Sequence, residues 1–300
     1  MKGEGFYLGK NNRSTNDQST NKEKINKKNT QEINLQEQNP LGVEPVGSLI
    51  AKFAVPAIVS MLVSAMYNIV DQIFIGQGVG MLGNAATNVA FPVTTIATSL
   101  ALLLGIGGAS NYNLEMGAGQ EKKASGIAGT ALSSLVISGV ILAVIVLGFL
   151  RPLLTLFGAT TDVMPYAVDY TGITAVGLPF YILSVGGNHL VRADRSPTYS
   201  MTCIMAGAVI NTVLDPLFIF GCGWGIKGAA IATIIAQGVS ALGIMGYTYA
   251  KCPELRLHRN DLHFDRHCLK EITSFSTLTC IQQSVMNLGI LMVQGLVNSF

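Results

Sequence analysis

The stretch NTVLDPLFIFGCGWGIKGAAIATIIAQ, residues 211–237, decides the fold of this chain. It consists of two apolar runs joined by a glycine-rich turn, and an acid, Asp215, lies inside the first run. Asn211 lies one helical turn before Asp215, and Thr233 lies in the second run. A carboxylate inside an apolar segment of bilayer length costs roughly 2.5–3.5 kcal/mol, so it usually faces a cavity and has a function. The stretch therefore predicts two membrane helices arranged around a functional carboxylate.

Composition extends this prediction to the whole chain. Of the 300 residues, 49% are hydrophobic and only 12% are charged. Seven apolar runs are each long enough to cross a hydrocarbon core about 30 Å thick, which takes about 20 helical residues. A soluble fold is disfavoured, because it would have to bury seven helices that have almost no polar face. The sequence predicts an all-α, polytopic membrane protein.

Basic residues are distributed unevenly between the two sides of the predicted membrane. If the first helix starts in the cytoplasm, 17 of the 19 Lys and Arg fall on cytoplasmic segments. Only Arg151 and Lys227 then fall outside. By the positive-inside rule, this distribution predicts a multi-pass protein of the cell inner membrane with its N-terminus in the cytoplasm.

The chain divides into four predicted segments. Residues 1–44 are polar and too poor in apolar side chains to fold, so we expect a disordered cytoplasmic tail. Residues 45–250 form six transmembrane helices, residues 251–270 a basic cytoplasmic linker, and residues 271–300 a seventh helix. The six helices are expected at about 48–76, 85–116, 125–150, 163–191, 198–220 and 229–250.

The polar groups within the predicted helices form one set with a shared chemistry. They are Asp71, Asn188, Asn211, Asp215 and Thr233. All of them offer oxygen or amide groups, and no Lys or Arg is expected at their depth. Two carboxylates without a basic partner must hold protons or share a cation. Because oxygen ligands suit a hard ion such as Na⁺, the set predicts a binding site for H⁺ or Na⁺.

Four motifs contain or adjoin this polar set: YNIVDQIFIGQ (67–77), GGNHLVRADRSP (186–197), NTVLDPLFIFG (211–221) and GWGIKGAAIATIIAQ (223–237). They resemble motifs in the N-terminal lobe of the multidrug and toxic compound extrusion (MATE) transporters. The resemblance extends from Leu49 to the end of the chain. It implies two six-helix lobes around a central cavity, and a drug antiporter driven by H⁺ or Na⁺. It also implies an N-lobe cation site made of the same polar set: Asp71, Asn188, Asn211, Asp215 and Thr233.

The resemblance implies roles for further residues. Tyr67 and Tyr170 are expected to line a substrate cavity, and Pro56 matches a proline in the first helix where bending is proposed. The chain departs from the family pattern at Arg195, where glycine is usual. It also stops after the seventh helix, at Phe300, so the resemblance implies a truncated chain whose C-terminal lobe is missing.

The predicted function is cation-coupled export of organic cations or drugs. Two alternatives remain open: a lipid-linked saccharide flippase, which requires a larger and more basic cavity, and a membrane scaffold that transports nothing. The sequence contains no nucleophile–base pair, no transition-metal ligand set and no nucleotide motif, so we expect no enzymatic activity and no cofactor. The expected partners are small organic cations, the lipid bilayer and the missing lobe, and nucleic acid is not among them.

Overall fold

The computed structural model describes residues 45–250 and then residues 268–274, 276–277, 281–282 and 285. The predictions for residues 1–44, for most of the linker and for most of the seventh helix lie outside the described residues. The chain forms two compact units, residues 1–55 and residues 56–300. The described part of the first unit is the beginning of a helix, and everything below concerns the second unit.

All regular structure in the described residues is helical. The helices are α1 (Val46–Gly78), α2 (Met81–Gly117), α3 (Glu121–Gly148), α4 (Leu150–Leu156), α5 (Met164–Ala193), α6 (Pro197–Pro216) and α7 (Ile226–Ala250). A π-helical turn, Leu217–Gly221, follows α6 directly. In the described part of the chain, six helices are long and apolar enough to cross a membrane. The structure is therefore that of an all-α, multi-pass membrane protein, as the apolar runs predict.

The third predicted helix is interrupted in the structure. The sequence predicts one helix that Arg151 and Pro152 end, whereas α3 ends at Gly148 and the short helix α4 contains both residues. The amide groups in the first turn of a helix have no intrahelical acceptor, so proline is tolerated there. Pro152 occupies the third position of α4, where it continues a new helix and does not end the old one.

Helix α5 makes extensive contacts with α2, α3 and α7. Two glycines face each other where it packs against α2. A Cβ atom placed on Gly105 would lie only 2.6 Å from the Cα atom of Gly186. Small residues allow helix backbones to come this close in a membrane, where van der Waals packing holds helices together. The small-residue run at 105–110 is thus a packing surface.

The turn between α5 and α6 contains the residue at which the chain departs from the family pattern. Arg195 has φ 60°, in the left-handed region that favours glycine. A side chain in this conformation costs about 1–2 kcal/mol. The neighbouring Asp194 accepts hydrogen bonds of 2.8 Å from the hydroxyls of Tyr112 on α2 and Tyr247 on α7. These contacts connect the turn to two helices and offset the cost at Arg195.

Candidate cation-binding site

The site lies next to an apolar cluster that α1, the π-helical turn and α7 form together. The buried members of this cluster are Ile75, Ile219 and Ala229. Each of these residues lies four positions from a polar residue of the predicted site. Asp71 precedes Ile75, and Asp215 precedes Ile219. Thr233 follows Ala229. Residues four apart on a helix share one face. Helix α7 packs against α6 and runs in the opposite direction, so the reversed order in α7 still places Ala229 at the same end of the site as Ile75 and Ile219.

Pro216 shapes the end of α6 beside the site. It has no N–H to donate to the carbonyl group of Thr212, and the backbone continues as a π-helical turn, a feature often found at functional sites. The amide of Cys222 donates to the carbonyl oxygen of Leu217 at 2.9 Å, which closes this turn. A Cβ atom on Gly228 would lie 2.9 Å from the backbone of Phe218, so α7 begins in direct contact with the turn.

The carboxyl groups of Asp71 and Asp215 contact each other. They lie within hydrogen-bonding range of each other, so a proton or a cation between them would relieve their repulsion. Nδ2 of Asn211 donates to Oδ1 of Asp215 at 3.3 Å. Asp71 is 7% exposed, Asn211 2% and Asp215 0%. The structure thus brings together three of the five residues in the predicted cation site.

Three buried oxygens of this group accept no hydrogen bond from any donor among the described residues. They are Oδ1 of Asp71, Oδ1 of Asn211 and Oδ2 of Asp215. Leaving a buried acceptor unpaired costs about 1–3 kcal/mol, and more when it is charged. Within the same part of the chain, neither carboxylate forms an ion pair with a Lys or Arg. A shared proton or a hard cation would supply the missing partner, so this set of oxygens fits H⁺ or Na⁺.

Two cavities adjoin the carboxyl pair. We name the first the Asp71 cavity: its volume is about 560 Å³, and Asp71 and Tyr170 line it. We name the second the Arg192 cavity: its volume is about 390 Å³, and Asn188, Arg192 and Asn211 line it. The residues that line both cavities form a partition between them. They are Tyr67, Asn68, Tyr181, Thr233 and Gln237.

The two tyrosines predicted to line a substrate cavity both lie on cavity walls. Tyr67 belongs to the partition, together with Asn68 and Gln237. Tyr170 lies within electrostatic range of both carboxyl groups. Thr233, the α7 residue of the predicted cation site, also lies in the partition, where it can contribute a hydroxyl oxygen to either cavity.

Asn188 is placed apart from the carboxyl pair. Its Nδ2 donates to the carbonyl oxygen of Ser184 at 2.6 Å, and its Oδ1 accepts from the hydroxyl of Ser200 at 2.7 Å. The Ser200 hydroxyl accepts in turn from Nε of Arg192 at 3.1 Å. Eleven residues separate Ser200 from Asn211 on α6, which corresponds to about 16 Å. The structure therefore connects Asn188 to Arg192 through Ser200, and it does not place Asn188 beside Asp71 and Asp215.

Pro56, the predicted hinge, lies inside α1, which continues through it. The Ser60 hydroxyl donates to the carbonyl oxygen of Pro56 at 2.6 Å. A proline in a helix interior removes one backbone hydrogen bond, so the helix is weaker at this position than elsewhere.

Sequence reasoning left three wall residues out of the site. Gln237 follows Thr233 by four residues, and this spacing was a usable signal. Tyr181 shares a hydrogen bond of 2.8 Å with Thr98 of α2. A single aromatic residue on an apolar helix does not indicate a site, so the sequence could not identify it. In the sequence Arg192 is one of the basic residues assigned to cytoplasmic segments, and only the structure places it on a cavity wall.

A family model described as MatE matches residues 56–217, which is more than half of the chain. The chain belongs to the MATE family. It is similar to the FAD transporter of Shewanella oneidensis, with 34% identity over 210 residues that cover 68% of this chain and 45% of that protein. It is also similar to the multidrug export protein MepA of Staphylococcus haemolyticus, with 28% identity over 195 residues that cover 65% and 43% of the two chains.

A solved structure supports the same assignment. The MATE multidrug transporter DinF-BH superimposes with a TM-score of 0.78 and 35% identity, covering 84% of this chain and 56% of that one. This MATE chain thus spans about half the length of the relatives that it matches. Those relatives are transporters and not enzymes. The predicted family and fold are confirmed.

Proposed function

We propose that this MATE chain forms one lobe of an exporter that couples inward flow of H⁺ or Na⁺ to export of organic cations. The observation that carries the proposal is the buried contact between Asp71 and Asp215, together with the three unpaired oxygens of Asp71, Asn211 and Asp215. The similarity to a multidrug export protein supports the same direction of transport and the same class of substrate.

Electrostatics explains how such a pair couples two transported species. Two unit negative charges 4 Å apart repel by about 4 kcal/mol at an effective dielectric constant of 20. The pair therefore favours keeping one proton, which leaves a single negative charge, and one bound cation then makes the loaded pair neutral. A coupling ion and a cationic drug in the adjoining Asp71 cavity then neutralise the same charge in turn, as antiport requires.

Alternating access needs a barrier that opens on one side of the site. The apolar cluster around Ile75 and Ile219 seals the carboxyl pair on one side, which in the predicted orientation is the outer side. We expect α1 to bend at Pro56, as the family resemblance implies, and so to separate Ile75 from Ile219. The site would then exchange its cation with the outside, as in transporters whose halves rock around a central site.

The proposed transporter requires a second lobe, because this chain spans about half the length of its relatives. The complete cavity would lie between the two lobes, within the cell inner membrane. The N-terminus would lie in the cytoplasm, as the distribution of basic residues predicts.

A flavin dinucleotide is a second candidate substrate. The identity to the FAD transporter, 34%, is higher than the 28% identity to MepA, which favours this candidate. The flippase and scaffold alternatives are not favoured, since the matched relatives carry small molecules. Efflux of ethidium and of FAD, measured side by side from the same cells, separates the two candidates.

Replacing Asp215 with Asn tests the proposal directly. Asp215→Asn removes a chargeable oxygen from the pair, and we expect ethidium efflux to fall about tenfold or more, the scale of a lost charge-assisted hydrogen bond. Asp169→Asn is the matched control: Asp169 is 43% exposed and lies 3.3 Å from Lys227, outside both cavities. Efflux from Asp215→Asn cells at the unmutated rate would contradict the proposal.

The coupling ion is identified by imposing each gradient alone. Proteoliposomes that contain the protein expressed from its complete gene are loaded with ethidium and given either a pH gradient or a Na⁺ gradient. Efflux should follow one gradient and should depend on Asp215 under that gradient. Efflux that needs neither gradient would rule out antiport.

A further inference from the structure

Arg192 lies on a cavity wall and has no carboxylate partner in the part of the chain that the structure describes. It belongs to the last turn of α5 and is partly buried. Its Nε donates to the hydroxyl of Ser200, and among the described residues no Asp or Glu forms an ion pair with it. In the same part of the chain, no side chain or carbonyl group accepts a hydrogen bond from its terminal guanidinium nitrogens. The imidazole of His189 lines the same cavity.

The two cavities differ in the sign of the charge that they can carry. Among the described residues, the lining of the Arg192 cavity includes no Asp or Glu, and that of the Asp71 cavity includes no Lys, Arg or His. A charge removed from water costs several kcal/mol unless an opposite charge compensates it. A partly buried guanidinium therefore favours an anionic occupant of its cavity, and it disfavours a simple organic cation there.

The surroundings of Arg192 orient its side chain for such an occupant. Asn188 holds the Ser200 hydroxyl at 2.7 Å, and this hydroxyl accepts from one edge of the guanidinium. The opposite edge of a guanidinium carries two parallel N–H donors, which match a carboxylate or a phosphate. Serine hydroxyls on the cavity wall, at Ser64 and Ser184, add polar groups around the same space.

We propose that the Arg192 cavity binds the anionic group, a carboxylate or phosphate, of a transported solute, so that the substrates include zwitterions and anions. This inference rests on the proposed transport function and adds a substrate class to it. The volume of about 390 Å³ lies in the range of small-molecule sites, about 300–1,000 Å³. The cavity reaches Asn211, so a bound zwitterion can place its cationic end toward the carboxyl pair.

A matched pair of dyes tests the inference. One is the ethyl ester of a rhodamine, which is cationic, and the other is its free acid, which differs only by one carboxylate. The protein expressed from its complete gene is reconstituted in neutral phosphatidylcholine vesicles, and KM is measured for both dyes. We expect Arg192→Gln to raise KM for the free acid about tenfold or more and to leave KM for the ester unchanged. Arg192→Lys, which keeps the charge, should restore part of the affinity for the acid.

Equilibrium binding in detergent separates this inference from the proposed function. If the free acid binds with an affinity that depends on Arg192 but neither dye is transported, the proposed function fails and the anion subsite stands. If both dyes are transported and Arg192→Gln changes neither KM, or changes both equally, the subsite is wrong. His189→Gln is a second variant, expected to weaken binding of the acid alone, should Arg192→Gln not fold.

Lipid headgroups carry the same anionic chemistry, and a further measurement distinguishes them from a solute. The assay is repeated in vesicles that contain phosphatidylglycerol. An Arg192→Gln effect that is the same in both kinds of vesicle supports a solute site. An effect that requires phosphatidylglycerol identifies the headgroup as the bound anion and overturns the inference.

Discussion

Asn211 shows how a single amide can set the affinity of the carboxyl pair for a cation. Its Nδ2 donates to Asp215, while its Oδ1 is buried and accepts no hydrogen bond from the described residues. The donated bond stabilises the ionised form of the carboxylate, and the unpaired oxygen is a ready cation ligand. The unpaired oxygen favours a bound cation over an empty site, while the donated bond keeps the carboxylate charged and able to attract that cation.

We therefore expect Asn211→Ala to weaken coupling without unfolding the protein. The gradient needed for half-maximal ethidium efflux should rise about tenfold, because a hydrogen bond to a charged group contributes about 1.5–3 kcal/mol. Thr212→Ala is the control, since its hydroxyl donates to the carbonyl oxygen of Ala208 in its own helix, at 2.9 Å. A half-maximal gradient equal to that of the control would show that Asn211 is not a ligand.

Helix packing depends on whether a glycine faces another backbone or open space. Gly105 on α2 faces Gly186 on α5, and a Cβ atom there would lie 2.6 Å from a backbone atom. Gly238 on α7 has no heavy atom within 4 Å of the same position. Both are helical glycines, and alanine is the better helix former at both by about 1 kcal/mol. The two positions therefore differ in the space available and not in helix propensity.

Gly105→Ala should destabilise the protein, and Gly238→Ala should leave its stability unchanged or raise it. The clash forces α2 away from α5, and overpacking of this kind typically costs about 1–3 kcal/mol. Thermal unfolding of the detergent-solubilised protein, followed by size-exclusion chromatography, measures both variants against the unmutated protein. Equal unfolding temperatures for the two variants would show that the α2–α5 contact is looser than the structure indicates.

The orientation of the whole molecule in the membrane follows from charge and has a direct test. Cys222 is exposed in the turn between α6 and α7, which the positive-inside rule places outside the cell. A membrane-impermeant maleimide should label the protein in intact cells, and Cys222→Ser should abolish that labelling. Labelling that occurs only after the cells are made permeable would reverse the proposed orientation.

Much of the site was accessible from residue spacing. Asn211 and Asp215 are four residues apart on one helix, so their contact follows from helix periodicity. The pairing of Asp71 with Asp215 was inferred from the absence of a basic partner, and the structure places the two carboxyl groups in contact. Asn188 has the same chemistry as the other predicted ligands, yet its partner in the structure is Ser200. The sequence could not predict this, because composition does not determine how α5 is positioned along α6.

The sequence by itself determined the class of this protein: its seven apolar runs of bilayer length dictate membrane helices, since backbone groups in lipid must bond within their own helix. Six such helices lie in the described residues. The sequence also determined which side chains are too costly to bury without a function. Only the tertiary structure decided which of them meet. The partition at Tyr67 and Gln237, the place of Arg192 on a cavity wall and the apolar cluster at Ile75 depend on contacts between helices far apart in the chain. These contacts depend on how the side chains of several helices pack together, and the sequence of any one helix does not determine that packing.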